Sequence, residues 1–371
     1  MSDRPAPHQP GPNRRRYATL DAWRGAACLA VVLFHSFGGV SHDPLPAFLE
    51  PVHRIADHGW LGLHAFFVLS GYCIFERIRV ALRTGESAGE FLLDRARRIF
   101  PPYWVALLAT IAMNLIASPL NGTTFVGNLP PTAWSWLSNI TLTHALFGQG
   151  GYILVTWTLT CECAFYLISA VLLRLAAGTK NLDVAFGAGA LLCLVPLVLP
   201  FLNWTLPLQL WPDFFAGIVI SVALGERRWT AFAILAALTV MAFVSSRSTL
   251  SHRFAAIFAW VLIGLYSVDG WTSGLVGVRI LSWVGMFSYS LYLIHVPLVS
   301  RVVNLSRRFI ETSSAGFVGV WLMALLVSIA GGWLFWRVVE NRVERWRTKL
   351  RQPYRRQVSA VISSSAASPL A

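Results

Sequence analysis

Ten runs of apolar residues divide the chain, at about 17–38, 59–80, 100–118, 154–175, 184–202, 206–224, 229–246, 253–268, 280–300 and 314–338. Several approach the ~20 residues that a helix needs to cross a ~30 Å hydrocarbon layer. Within lipid only helices or closed barrels satisfy the backbone, and none of these runs alternates with the period of a strand. The pattern predicts an all-α, polytopic transmembrane bundle of about ten helices. The first run is too long for a cleavable signal peptide and carries Asp21, Arg24 and His35, so it is expected to stay in the mature protein.

Polar connections set the orientation. Basic residues gather between Arg77 and Arg98, at Arg174 and Lys180, between Glu226 and Arg228, between Asp269 and Arg279, and from Arg337 onward. Counting them places these connections and both the N- and C-termini in the cytoplasm. Arg301, Arg307 and Arg308 run against that register on the external side. The longest external connection, 119–153, holds Trp134, Trp136, Leu137 and Ile140, a pattern open to an interfacial or a re-entrant helix. Three units are expected: a disordered basic tail over 1–16, a membrane domain over 17–345, and a Ser/Ala-rich tail over 346–371.

Composition sharpens the membrane reading. Of 371 residues, 56% are hydrophobic and 13% charged, about half the ~25% charge of a soluble domain. The formal net charge of +13 comes from clusters flanking apolar runs, which read as topology signals rather than a nucleic-acid surface. The five cysteines, Cys28, Cys73, Cys161, Cys163 and Cys193, all lie in apolar stretches without metal or redox spacing. His42, His53 and His58 show no ligand pattern either, so no metal is expected.

Ionisable residues inside apolar runs are site candidates, because each opposes insertion by about 2.5–3.5 kcal/mol. Arg24 and His35, eleven positions apart, share one helix face at about 16 Å along the axis. Arg24 either snorkels to headgroups or stands in a polar interior; Asp21 pairs with it or caps the helix. Glu162, two turns into the fourth run, lies at a depth where it meets His35 or pairs elsewhere. Arg95, Arg97 and Arg98 are either topology markers or an anion site at the cytoplasmic entry. Ser70 reads as a packing position, and His64 as a core histidine or a cavity residue. Ser288, Tyr292 and His295 form one polar stripe, serving a cavity or interhelical bonds.

Five motifs in order resemble the membrane acyltransferase 3 family. Leu20-Asp21-Ala22-Trp23-Arg24-Gly25 followed by His35 resembles LDGLRG with its spaced histidine, and Phe66 to Tyr72 resembles FFVLSGF. Arg95 to Pro101 resembles RRxxRIxP, Trp157 to Tyr166 resembles WSLxxExxFY, and Ser288 to Pro297 resembles SYxxYLxHxP. The chain departs from the pattern at Asp94, where arginine is usual, at His64, where aspartate is common, and at Asn341, which replaces a proline after Glu340. It resembles the stand-alone branch without an SGNH domain.

The resemblance implies an O-acyltransferase of a bacterial inner membrane. Its donor is acyl-CoA, acetyl-CoA first, used as a co-substrate with no permanently bound cofactor. The acceptor it implies is a hydroxyl of a glycan, glycolipid or glycoside. On that basis His35 is the expected general base, oriented by Glu162, with Arg24 steadying the pantetheine arm and Arg95 and Arg98 holding CoA phosphates. Ser288, Tyr292, His295 and His64 are the expected acceptor-side residues. The rival reading, a transporter or flippase of a lipid-linked sugar, requires inverted repeats, and the two halves show no internal match.

Overall fold

Each of the ten runs carries helix, and no strand occurs among the described residues. The computed structural model describes residues 17–40, 47–120, 129–195, 206–226, 229–244, 250–306 and 314–350. The principal helices are α1 (Leu20–Val40), α2 (Glu50–Ala56), α3 (Gly62–Thr84), α4 (Ala88–Leu120), α5 (Ala133–Ile140), α6 (Trp157–Thr179) and α7 (Leu182–Leu192). They continue with α8 (Trp211–Glu226), α9 (Trp229–Val244), α10 (Leu250–Leu265), α11 (Val276–Met286), α12 (Ser288–Ser306) and α13 (Ser314–Phe335). The expected tail over 1–16, the chain beyond 350, and Arg307 and Arg308 lie outside the described residues.

By length and composition α1, α4, α6 and α13 can each cross a membrane, and α11 and α12 pass the same test together, with a bend of 74° between them. Helices α7 to α10 are shorter and apolar, while α3 carries Glu76, Arg77 and Arg79 within its 23 residues. The protein is a multi-pass helical membrane bundle.

Its helix ends are sorted by polar contacts. At one end Asp269 caps α1, its carboxylate accepting from the backbone of Ala18, from Thr19 N at 2.9 Å and from Thr19 Oγ1 at 2.6 Å. Asp21 has the other role foreseen for it, lying 3.7 Å from Arg24. Arg77 pairs with Glu86, and Ser290 donates to Glu340, so α1, α3, α4, α12 and the C-terminal helix share this basic end. At the opposite end Trp321 donates to Ser36 at 3.2 Å, and Arg301 donates to Asn114.

Two boundaries differ from the sequence expectation. Helix α4 starts at Ala88, well before position 100, because Ser87 and Glu90 form a capping box: Glu90 N donates to Ser87 Oγ at 3.2 Å and Ser87 N to Glu90 at 2.8 Å. The helix then runs through Pro101 and Pro102. At the C-terminus α13 passes through a π-helical turn, Trp336–Glu340, and helix continues to Leu350, beyond the boundary placed at 345. Buried Arg347 fixes it there.

The connection over 129–156 folds back along α4. Asn139 O accepts from Tyr103 at 2.6 Å and Ile140 O from Trp104 at 3.0 Å, while Asn114 donates to Tyr152 at 2.7 Å. Tyr103 and Asn114 are separated by about 16 Å of helix, so the segment re-enters the bundle rather than lying flat on its surface.

Glycines set the closest crossings, as expected where lipid removes the hydrophobic drive between helices. A Cβ on Gly71 would lie 1.8 Å from Phe214 O, and one on Gly217 1.9 Å from Val68 O, which locks α3 on α8. Gly25 and Gly285 do the same for α1 and α11, with contacts of 2.0 and 1.8 Å to Leu281 O and Asp21 O. Because the opposing atoms are backbone, Gly71→Val is expected to destabilise by more than the ~1–3 kcal/mol typical of overpacking. Gly187→Val, in open space, should leave stability unchanged; thermal unfolding of both variants in detergent checks this.

Candidate active site: a polar cavity beside a histidine pair

Five helices enclose a cavity of about 100 Å³ toward the basic end of the bundle. Arg24 comes from α1, Ser70 and Cys73 from α3, Arg95 and Arg98 from α4, Glu162 and Tyr166 from α6, and Ser288, Tyr289 and Tyr292 from α12. Phe66, Phe67 and Leu159 supply apolar wall. The Gly71 and Gly25 crossings set this convergence, since each brings a polar neighbour, Ser70 or Arg24, to the same interior space.

The charged groups are mutually compensated. Glu162 accepts from the Tyr166 hydroxyl and shares electrostatic contact with Arg98, as does Glu340. Arg95 is buried, donates to Asp94 at 2.6 Å, and lies 6.0 Å from the Tyr166 ring and 5.9 Å from that of Phe91. Its Nε has no hydrogen-bond partner among the described residues. Asp94, the departure from the arginine-rich motif, thus tethers Arg95 and also accepts from Arg347 at 3.1 Å.

Beyond the cavity, α1 and α12 bring two imidazoles together: the rings of His35 and His295 are 5.2 Å apart. His295 Nδ1 lies 2.8 Å from Tyr292 O and 3.2 Å from Leu291 O. With both neighbours carbonyls, Nδ1 carries the proton and donates, which leaves Nε2 as an acceptor. That Nε2 is buried with no hydrogen-bond partner among the described residues. Tyr292 belongs to both places. It lines the cavity, its ring is 5.8 Å from that of His295, and its hydroxyl meets Thr158 Oγ1 at 2.8 Å.

Of the residues singled out from sequence, Arg24, Arg95, Arg98, Glu162, Ser288 and Tyr292 line this one cavity, and His35 and His295 adjoin it through Tyr292. The hydrogen bond of Glu162 goes to Tyr166, while the ring beside His35 is that of His295. His64 stands apart from the cavity lining. It sits in a buried cluster, its Nδ1 2.6 Å from Asp213, which also meets His252 Nδ1 at 2.8 Å. Ser70, read as packing, faces the cavity, while the packing role falls to Gly71. Glu340 and Asp213 were missed; both are lone carboxylates, and Asp213 met the criterion applied to Glu162 because it lies within an apolar run. Among the described residues no group of three or more His, Cys, Asp or Glu side chains is placed to hold a metal ion.

The family model for an acyltransferase domain, Acyl_transf_3, matches residues 17–337. The chain belongs to the acyltransferase 3 family. It is 24% identical to peptidoglycan O-acetyltransferase OatA of Listeria monocytogenes, over 78% of this chain and 50% of that protein. It is 26% identical to acyltransferase MdmB of Streptomyces mycarofaciens, over 78% of this chain and 81% of the other. With exopolysaccharide production protein ExoZ of Rhizobium meliloti the identity is 28%, over 73% and 86% of the two chains. The chain spans half the length of the Listeria protein. No solved structure matches it. The family model covers every residue lining the cavity.

Asp94 offers a direct check on the electrostatics of this site. Removing a carboxylate shared by two buried guanidiniums leaves uncompensated charge, worth about 3–5 kcal/mol. Asp94→Ala is expected to lower the unfolding temperature and to expose the helix after Glu340 to trypsin, whereas Asp57→Ala, which removes only a surface pairing with His53, should do neither.

Proposed function

We propose that the protein transfers a short acyl group, acetyl first, from cytosolic acyl-CoA to a hydroxyl of a glycan, glycolipid or glycoside presented from the other side of a bacterial cell membrane. The observation that carries this reading is the union of Arg24, Arg98 and Glu162 in one interior cavity toward the basic end, adjoined by the His35–His295 pair. Arginine suits CoA phosphates because its planar fork donates two parallel bonds. A cavity of about 100 Å³ suits the thioester end of a short acyl donor.

In this reading Arg98, with Arg95 behind it, holds the donor's phosphates, and Arg24 steadies the pantetheine arm. The thioester then reaches Tyr292 and the imidazoles. His35, the less buried of the two rings, takes the proton from the acceptor hydroxyl. The oxygen attacks the thioester carbon, the carbon–sulfur bond breaks, and the proton passes from imidazole to the CoA thiolate. His295 backs His35 as a ring of fixed tautomer. Glu162 balances Arg98 and orders Tyr166, a role that replaces its expected contact with His35. The glycan relatives support the acceptor class: OatA is named for O-acetylation of peptidoglycan and ExoZ for exopolysaccharide production.

Imidazole is the side chain able to act as base near neutral pH without a perturbed environment. Purified protein supplied with labelled acetyl-CoA and envelope glycans should transfer label. His35→Ala should lower kcat by roughly 10²–10⁴-fold, the usual contribution of a general base, with normal accumulation in the membrane. Activity equal to wild type would remove His35 from the reaction. Arg98→Ala should raise the KM for acetyl-CoA while leaving that for acceptor in place, and an unaltered donor KM would reject the phosphate role.

A further inference from the structure

A second, larger cavity opens at the end of the bundle opposite the basic one. It measures about 890 Å³ and is lined by Asn114 and Ser118 of α4, Ser135 and Asn139 of α5, Gln149 and Tyr152 of the re-entrant segment, and Arg301 and Asn304 of α12. Its chemistry is unlike that of the donor cavity. Four side-chain amides, several hydroxyls and one guanidinium face it, and no carboxylate is among its described lining residues.

Arg301 is the anomaly of the charge pattern, a basic residue on the side where the rule expects few. Among the described residues its guanidinium has no acidic partner: it donates to the neutral Asn114 amide oxygen, and its buried Nε finds no hydrogen-bond partner there. The wall around it is built rather than incidental. Asn114 Nδ2 donates to the Tyr152 hydroxyl at 2.7 Å, Tyr152 N donates to Asn139 at 2.7 Å, and Ser138 donates to Gln149 at 2.8 Å. The Tyr152 ring stacks on Trp136 at an interplanar angle of 24°, which stiffens it.

We infer that this cavity is the acceptor subsite and that it selects a sugar carrying a carboxylate, held by Arg301, with the amides of Asn304 and Gln149 taking ring hydroxyls. The inference rests on the acyl-transfer reading above and names its substrate class. Planar amides and hydroxyls match the paired donors and acceptors of a polyhydroxylated ring, and an arginine with no carboxylate beside it among the described residues can bind a substrate carboxylate bidentately. The same wall leads to the imidazoles. From Gly151 and Tyr152 in the outer cavity the chain passes to Val155 and Thr158, whose oxygens lie 3.3 and 2.8 Å from the Tyr292 hydroxyl at the inner one. Arg301 follows His295 on α12 by about 9 Å of helical rise, so one sugar unit can be anchored at Arg301 while the next reaches the histidines.

The test uses the full-length protein in detergent, with trigalacturonate as acidic probe and its uncharged methyl ester as control. Tryptophan fluorescence, sensitive to Trp136, reports binding without turnover, and acetyl transfer to each oligosaccharide reports catalysis. Wild type should bind trigalacturonate at least tenfold more tightly than the ester. Arg301→Ala should erase that preference with the KM for acetyl-CoA unchanged, and Arg301→Lys should restore part of it. Gln149→Ala and Asn304→Ala, which keep the Arg301–Asn114 bond, should weaken both probes alike and serve if Arg301→Ala does not accumulate. Equal binding of acid and ester by wild type, or a preference that survives Arg301→Ala, overturns the inference. Acid-selective binding lost in Arg301→Ala but without acetyl transfer to any envelope glycan would uphold the subsite and sink the acyl-transfer reading instead.

Discussion

A charged group inside a lipid-embedded bundle must find its counterpart within the protein, because hydrocarbon offers none. The inner cavity of this chain follows from that constraint. Glu162, Glu340 and Asp94 lie among Arg24, Arg95, Arg98 and Arg347, drawn from α1, α4, α6 and the C-terminal helix, so that meeting the electrostatic demand and closing the bundle are one act. The same demand explains why α13 does not stop at the membrane edge. Its π-helical turn brings Glu340 to Ser290, and the following turns carry Arg347 to Asp94.

Packing supplies the precision that charge alone lacks. Where α3 meets α8 and α1 meets α11, backbone lies on backbone through paired glycines, and no side chain can relax to absorb an error. Ser70 beside Gly71 and Arg24 beside Gly25 are therefore positioned by crossings that admit nothing larger. The bend between α11 and α12 turns the polar stripe of α12 along the bundle, with Ser288 at the inner cavity and Arg301 at the outer one. Tyr292 and Thr158 occupy the level between.

Much of this was legible in the sequence, for identifiable reasons. Apolar runs and basic connections fixed the helical bundle, since both are one-dimensional signals. Arg24 and Glu162 stood out because lone ionisable residues in apolar runs have nowhere else to go, whereas Arg98, in a basic connection, and Ser288 and Tyr292, in a polar stripe, each kept two readings. Pairings were not legible. That Glu162 bonds Tyr166, that His295 and not Glu162 neighbours His35, and that His64 joins Asp213 all depend on helix rotation and tilt, which periodicity leaves free. The early start of α4 was signalled by Ser87 and Glu90, a cap outweighed by the proline pair that follows.

The central claim is that the inner cavity receives the thioester end of a cytosolic acyl donor. Cys73 lines that cavity and reports on it once the other four cysteines are replaced by alanine or serine. The decisive measurement is the rate at which methyl methanethiosulfonate, added to inside-out vesicles, modifies Cys73 with and without saturating acetyl-CoA. Strong protection by acetyl-CoA, lost when Arg98 is replaced by alanine, is the result this account predicts. A modification rate indifferent to acetyl-CoA would contradict it.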